Sequence, residues 1–144
     1  MVDVGAKASS ERFAHARAFV RVGAATEAAL RKATLKKGDA FVTAQLAGIM
    51  AAKQTSQLIP LTHPLPLSSV SVHFTWAKKG LLQIDATART SAQTGVEMEA
   101  LTAAAIAALT IYDMVKALER GIAIESLHLV EKSGGKSGSW KRSK

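Results

Sequence analysis

The apolar positions of this chain change their period several times, and each change marks an element. From Ala16 to Val22 they fall on every second residue. Ala16, Ala18, Val20 and Val22 lie on one side, with Arg17, Phe19 and Arg21 on the other, a pattern that predicts a strand. Thr26 is a candidate cap for a short helix, "EAALRKA". Asp39 is a candidate cap for a longer one, "AFVTAQLAGIMAAKQTSQ", on which Val42, Leu46, Ile49 and Lys53 share a face. The stretch "LIPLTHPLPL", residues 58–67, holds all three prolines of the chain. It can be neither regular helix nor central strand and is expected as a rigid connection.

Alternation returns in "SVSVHFTW" and, after "AKKG", in "LLQIDATART", so these two segments are expected as a hairpin. An alanine-rich helix follows from about residue 99 to 119, closed by Gly121, and "IAIESLHLV" reads as a last strand. On an ideal helix Leu101, Ala105, Ala108, Tyr112 and Val115 form an apolar stripe that should face the sheet. Counting the two early helices as one crossover gives βαββαβ. That is the ferredoxin-like α+β arrangement, an antiparallel sheet with helices packed on one face. One domain over residues 1–144 is expected, and from about residue 133 the Gly/Ser/Lys-rich end reads as a solvated, flexible tail.

Composition narrows the chemistry. With no cysteine, disulfides, thiolate nucleophiles and iron–sulfur ligation by this chain are excluded. A formal net charge of +8 suggests an anionic partner without choosing among nucleic acid, a phosphorylated metabolite and an acidic protein. The run from Leu101 to Met114 is broken by Thr102, Thr110 and Asp113 and is shorter than the ~20 apolar residues a bilayer requires, so no membrane span is expected. The first residues lack the pattern of a secretory signal, which makes the cytoplasm the expected location.

Several charged groups then stand out. Asp113 and Lys116 are at i and i+3 of the alanine-rich helix, a spacing that equally suits an ordinary surface ion pair. Glu97 and Glu99 are two apart and share a face only in extended chain, which would place them where strand leads into helix; opposing a helix macrodipole would also explain them. His63 sits between prolines on a loop, a common setting for catalytic groups, although a lone loop histidine is more often structural. His15, His73 and His128 lack metal-ligand spacing, and no metal is assigned. "KKGD" sets Lys36 and Lys37 beside a helix start, and "KSGGKSG" offers backbone amides flanked by Lys132 and Lys136, without Walker spacing.

Taken in order, "MVDVGAK", "KKGD", "AGIMAAKQTSQLIPLTHPL", "TGVEMEALTAAAIAALTIYDMVKAL" and "KSGGKSG" closely resemble the cyclic pyranopterin monophosphate synthase family, the C protein of molybdenum-cofactor biosynthesis. The resemblance runs through nearly the whole chain. It implies a ferredoxin-like fold, a homohexamer built as a trimer of dimers, and a lyase reaction. In that reaction (8S)-3',8-cyclo-7,8-dihydroguanosine 5'-triphosphate, made by a radical enzyme, becomes cyclic pyranopterin monophosphate with release of pyrophosphate. By the same resemblance Asp113, Lys116 and Lys37 are catalytic, with Asp113 the principal active-site residue. Leu61, Thr62, His63, Glu97, Met98, Glu99, Lys132 and Asp3 bind substrate. Thr62 stands where relatives often carry cysteine, and Gly5 where serine is common. No resident cofactor is implied, while Mg2+ is compatible with a triphosphate substrate. Such a reaction needs several proton transfers, hence several placed acids and bases, and cations to stabilise departing pyrophosphate. Two rivals remain: a basic module binding single-stranded nucleic acid, with Phe74 and Trp76 as stacking platforms, and a non-catalytic assembly subunit whose charges only form an interface. The aromatic and glycine spacing of the common RNA-binding sheet motif is absent.

Overall fold

A computed structural model describes residues 1–143. The first strand, β1 (Ser10–Arg21), is followed by three helices: α1 (Ala24–Arg31), α2 (Ala40–Lys53) and the single turn α3 (Thr55–Leu58). The hairpin strands are β2 (Leu67–Lys78) and β3 (Leu81–Ala92). Next come the long helix α4 (Glu97–Val115), β4 (Ala123–Ser133) and a two-residue β5 (Trp140–Lys141). The sheet order is β2-β3-β1-β4-β5, antiparallel throughout. Its first four strands follow the ferredoxin-like order, as the alternating segments and the merged crossover imply.

Period-two alternation decides which face is dry. Ala14, Ala16, Ala18 and Val20 of β1, and Leu82, Ile84, Ala86 and Ala88 of β3, are fully buried beneath the helices. The opposite face carries His15, Arg17 and Asp85, tied by bonds of 2.7 and 2.8 Å to the Asp85 carboxylate. Phe74 and Trp76 lie on the helix side of β2. Phe74 packs 5.1 Å from the Phe41 ring, and the Arg31 guanidinium sits 4.6 Å from the Trp76 ring.

The helices depart from the sequence expectation in instructive ways. The buried stripe of α4 is Ala100, Ala103, Ala104, Ala107, Ala108, Ile111, Met114 and Val115, whereas Leu101, Ala105 and Tyr112 are only partly buried. The expected stripe is out of phase by about one position because α4 packs on two neighbours, the sheet and α2. That second contact demands small residues: a Cβ on Gly48 of α2 would lie 2.9 Å from the Ala103 carbonyl oxygen and 3.3 Å from the Ala107 Cβ. Accordingly α2 turns Ala40, Ala44, Gly48 and Ala52 inward. The face holding Val42 and Leu46, with Met50 beside it, points outward, Val42 at 61% and Leu46 at 58% exposure.

Caps explain the remaining differences. Asp39 caps α2 as expected, its Oδ1 accepting from the amides of Phe41 and Val42. Thr26 is not a cap: α1 starts at Ala24, and the Thr26 hydroxyl and Gly23 amide both donate to Glu119 Oε2, so a distant carboxylate serves that end. The long helix expected after Asp39 breaks at Gln54, where the buried Thr55 hydroxyl bonds back to the Ala52 carbonyl at 3.0 Å.

Candidate active site

At the C-terminal end of α4, Asp113 stands exposed between two ammonium groups. Lys116, one turn on, lies 2.6 Å from its Oδ1, and Lys37 lies 2.8 Å from its Oδ2. Lys37 comes from the α1–α2 loop, where Asp39 fixes the start of α2 two residues on, and its Nζ also donates to the Asp113 carbonyl at 2.9 Å. A helix C-terminus favours cations, so both lysines are placed where dipole and carboxylate act together. Lys116, then Lys37, holds the Asp113 carboxyl down at about 2, and Asp113 in turn raises Lys116 above the usual lysine value. Asp113 is therefore a weak proton acceptor that organises two cations. The arrangement can receive an anion in competition with Asp113, and Lys116 can return a proton to a leaving oxygen.

The N-terminal end of α4 is built differently. The two glutamates do not lie in extended chain; both are in the helix's first turn, and the spacing of two sends them in different directions. Glu97 is half-buried and meets Lys132 of β4 at 2.7 Å. Gly95 allows this, since a Cβ there would collide with the Glu97 carboxyl. Glu99 is only 4% exposed, and among the described residues no other side chain hydrogen-bonds to it. Burial pushes its carboxyl above the usual range, the Glu97 charge adding to the rise, against a hydrogen bond from its own amide. It borders a cavity of about 210 Å3 shared with Lys53, Thr55 and Pro64–Pro66. A desolvated carboxyl beside a cavity is poised to give or take a proton.

His63 is partly exposed on the proline-bounded loop after α3, and its ring makes no hydrogen bond among the described residues. Thr62 anchors that loop through its hydroxyl to the Ile59 carbonyl at 2.9 Å, leaving Leu61 69% exposed. Met98 is partly buried between the two glutamates. Asp3 spends its carboxylate locally on the Gly5 amide at 2.8 Å. The structure thus joins Lys37, Asp113 and Lys116 in one group and Glu97 with Lys132 in another. Asp113 lies fourteen residues beyond Glu99 along the helix, ~21 Å along its axis.

The model of the MoaC family matches residues 1–135. The chain belongs to the MoaC family. Among its relatives, the cyclic pyranopterin monophosphate synthase of Novosphingobium aromaticivorans is 54% identical over 141 residues, covering 98% of this chain and 89% of the relative. That of Nostoc sp. is 57% identical over 141 residues, covering 97% and 84%. That of Thermomicrobium roseum is 50% identical over 143 residues, covering 99% and 86%.

In this MoaC-family chain a cavity beside the α4 N-terminus brings in Arg12, which no motif singled out. It measures about 580 Å3, and Lys7, Arg12 and Lys136 join Lys132 and Glu97 in its walls. Arg12 is held by the Ala92 and Gln93 carbonyls at 3.2 and 3.3 Å. The signal was present but weak: Gly134 and Gly135 have φ of +103° and +71°, and a Cβ at Gly135 would collide with the Arg12 guanidinium. Among the described residues no cluster of three or more His, Asp or Glu is placed to hold a metal. Both Asp113 oxygens and the Glu97 carboxylate face lysines, so these donors do not suit a protein-held Mg2+, and the charge offered to a triphosphate is lysine and arginine.

Proposed function

We infer that this chain is a cyclic pyranopterin monophosphate synthase, a lyase of molybdenum cofactor biosynthesis. It would convert (8S)-3',8-cyclo-7,8-dihydroguanosine 5'-triphosphate to the cyclic monophosphate and release pyrophosphate. The observation that carries this is the convergence of the charged motif residues on the two ends of α4, in a chain 50–57% identical to three such synthases. Lys37 and Lys116 supply positive charge to the anionic part of the substrate, and Asp113 holds them in register. Lys132, with Arg12 in the same cavity, supplies it at the other end. Glu99 and His63 are the groups suited to proton transfer on the ring system.

The site is completed by a second copy of the chain. A single nucleotide cannot span ~21 Å of one helix with its reacting atoms at both ends. A helix from another copy running antiparallel across a two-fold axis brings the Glu99 end of one chain to the Asp113 end of the other. The outward Val42, Leu46 and Met50 of α2 and Leu109 of α4, each more than half exposed, provide an apolar face for such contact. A homohexamer, a trimer of dimers, is the assembly proposed, working downstream of the radical enzyme that makes the substrate. A cytoplasmic setting belongs to the same reading; its support is that α4, the one described helix long and apolar enough to span a bilayer, is packed into the core. The nucleic-acid reading loses its platforms, because Phe74 and Trp76 are packed beneath helices. The deciding measurement is pyrophosphate release from the cyclic GTP intermediate by the purified chain. Release with product formation supports the synthase; a folded chain with no turnover would leave the non-catalytic assembly subunit.

A further inference from the structure

Past Ser133 the chain turns through residues 134–138 and returns as β5, with Trp140 opposite Lys132 and Lys141 opposite Glu131. The return is fastened on both sides. The Arg142 amide donates to the Val130 carbonyl at 2.8 Å, its Nε to the Leu129 carbonyl at 2.9 Å, and Lys141 Nζ lies 3.7 Å from Glu131. At the other end Gly134 and Gly135 press on β1 so closely that a Cβ on either would strike the Glu11 carbonyl or the Arg12 guanidinium. The register of β5 is therefore set from both ends.

Directly opposed antiparallel residues project from the same face with Cβ atoms ~4.5–5.5 Å apart, so Trp140 stands beside Lys132 on the side of the α4 N-terminus. Lys132 and Ser133 form a wall common to two cavities, the 580 Å3 one and a 290 Å3 one bounded by Trp140 and Phe13. Trp140 is 42% exposed and contributes little to the core, which leaves its place beside Lys132 to be explained. A lysine stem has many rotamers, and ordering it at the moment of binding weakens affinity; a rigid neighbour that orders it beforehand removes that loss. The Arg142 guanidinium lies 6.0 Å from the Trp140 ring, at the outer edge of cation–π range.

We propose that Trp140 is a positioning residue: the β5 return strand seats Lys132 against Glu97, so that its ammonium is preorganised for the anionic end of the substrate. The inference rests on the reading of Lys132 as a substrate contact. Calorimetric titration of the full chain with pyrophosphate tests it on Trp140→Ala, Lys132→Ala and the double variant. Trp140→Ala should weaken binding about fivefold and Lys132→Ala about tenfold, with the double variant no weaker than Lys132→Ala alone. Trp140→Phe should bind as the parent chain does. Trp140→Thr, which keeps strand propensity without the ring, should behave as Trp140→Ala. In turnover, Trp140→Ala should raise KM with kcat within about twofold. Parent-like binding by Trp140→Ala, or losses that simply add in the double variant, would overturn the proposal while leaving Lys132 in place. Parent-like binding by Lys132→Ala would instead refute the reading beneath it, and the positioning role with it.

Discussion

The two ends of α4 carry comparable numbers of charges and treat them in opposite ways. At the C-terminal end Asp113 is 54% exposed, paired with two lysines and held ionised down to about pH 2. At the N-terminal end Glu99 is 4% exposed, unpaired by any other side chain, and pushed toward its neutral form. The first arrangement stores cationic charge at the surface, where an arriving phosphate can take over the lysines from Asp113. The second holds a desolvated carboxyl, biased toward its neutral form, at the edge of a cavity. On the proposed reading, one end of the helix gathers exposed cations and the other holds the acid–base carboxyl, and a second chain would bring the two to one substrate.

The most severe way to break the exposed end is to remove its cations. Lys37→Ala or Lys116→Ala should each lower turnover by roughly 100-fold or more, the range for losing a group that stabilises developing charge. Melting temperature and assembly should stay near those of the parent, since all three side chains are about half exposed and exposed ion pairs add little to stability. Near-normal turnover in both variants would remove the lysines from the chemistry. The separation itself is tested by mixing chains. Glu99→Ala and Asp113→Ala should each be inactive, yet after subunit exchange half of the dimers contain one of each. One of the two sites in such a dimer is intact, so activity should recover to roughly a quarter of the parent level. No recovery after verified exchange would mean that the two ends do not share a substrate.

A smaller effect is expected at the proline-bounded loop. His63→Ala should lower kcat/KM by roughly 100-fold, the low end for loss of an acid–base group. Melting should barely move, because Thr62 and Pro64 hold the backbone and the ring bonds to nothing in the described chain. A collapsed melting temperature would make His63 a structural residue.

How much of this is legible in the sequence depends on the range of the interaction. Strand faces are legible because alternation is local and the buried side is unambiguous, as in Ala16, Ala18 and Val20. The Asp113–Lys116 pair is legible from a spacing of three. The faces of α2 and α4 are not, because nearly every position in "ALTAAAIAAL" is apolar and the choice among them is made by backbone approach at Gly48. Nor can pattern alone bring Lys37 across 76 positions to Asp113, or Lys132 across 35 to Glu97. Those residues are found in sequence through the resemblance, and their pairing through the fold. Arg12 escapes both, since its role depends on a glycine pair that presses against it from the far end of the chain.

The finest contrast between the two ends lies in how stability answers pH. Glu99 has its folded value raised by burial, so the neutral form suits the fold. Its contribution is fully present below the ordinary carboxylate range and is lost as pH rises through the raised value. Glu99→Gln is neutral at every pH and keeps an oxygen for the residue's own amide. It should therefore melt higher than the parent at pH 8, with the gap closing as pH falls toward ~4, where an unfolded glutamate is itself protonated. Asp113 has the opposite sign: its folded value is depressed, so its contribution is present above ~4 and disappears as pH falls toward about 2. Asp113→Asn should melt slightly lower than the parent at pH 7, by less in high salt, because the pairs are exposed and screened. A stabilised but inactive Glu99→Gln chain would mark the buried carboxyl as a strain kept for function. If Glu99→Gln melted no higher than the parent at pH 8, or kept a constant gap from pH 4 to 8, Glu99 would not be a desolvated carboxyl, and the contrast between the two ends of α4 would reduce to exposure alone.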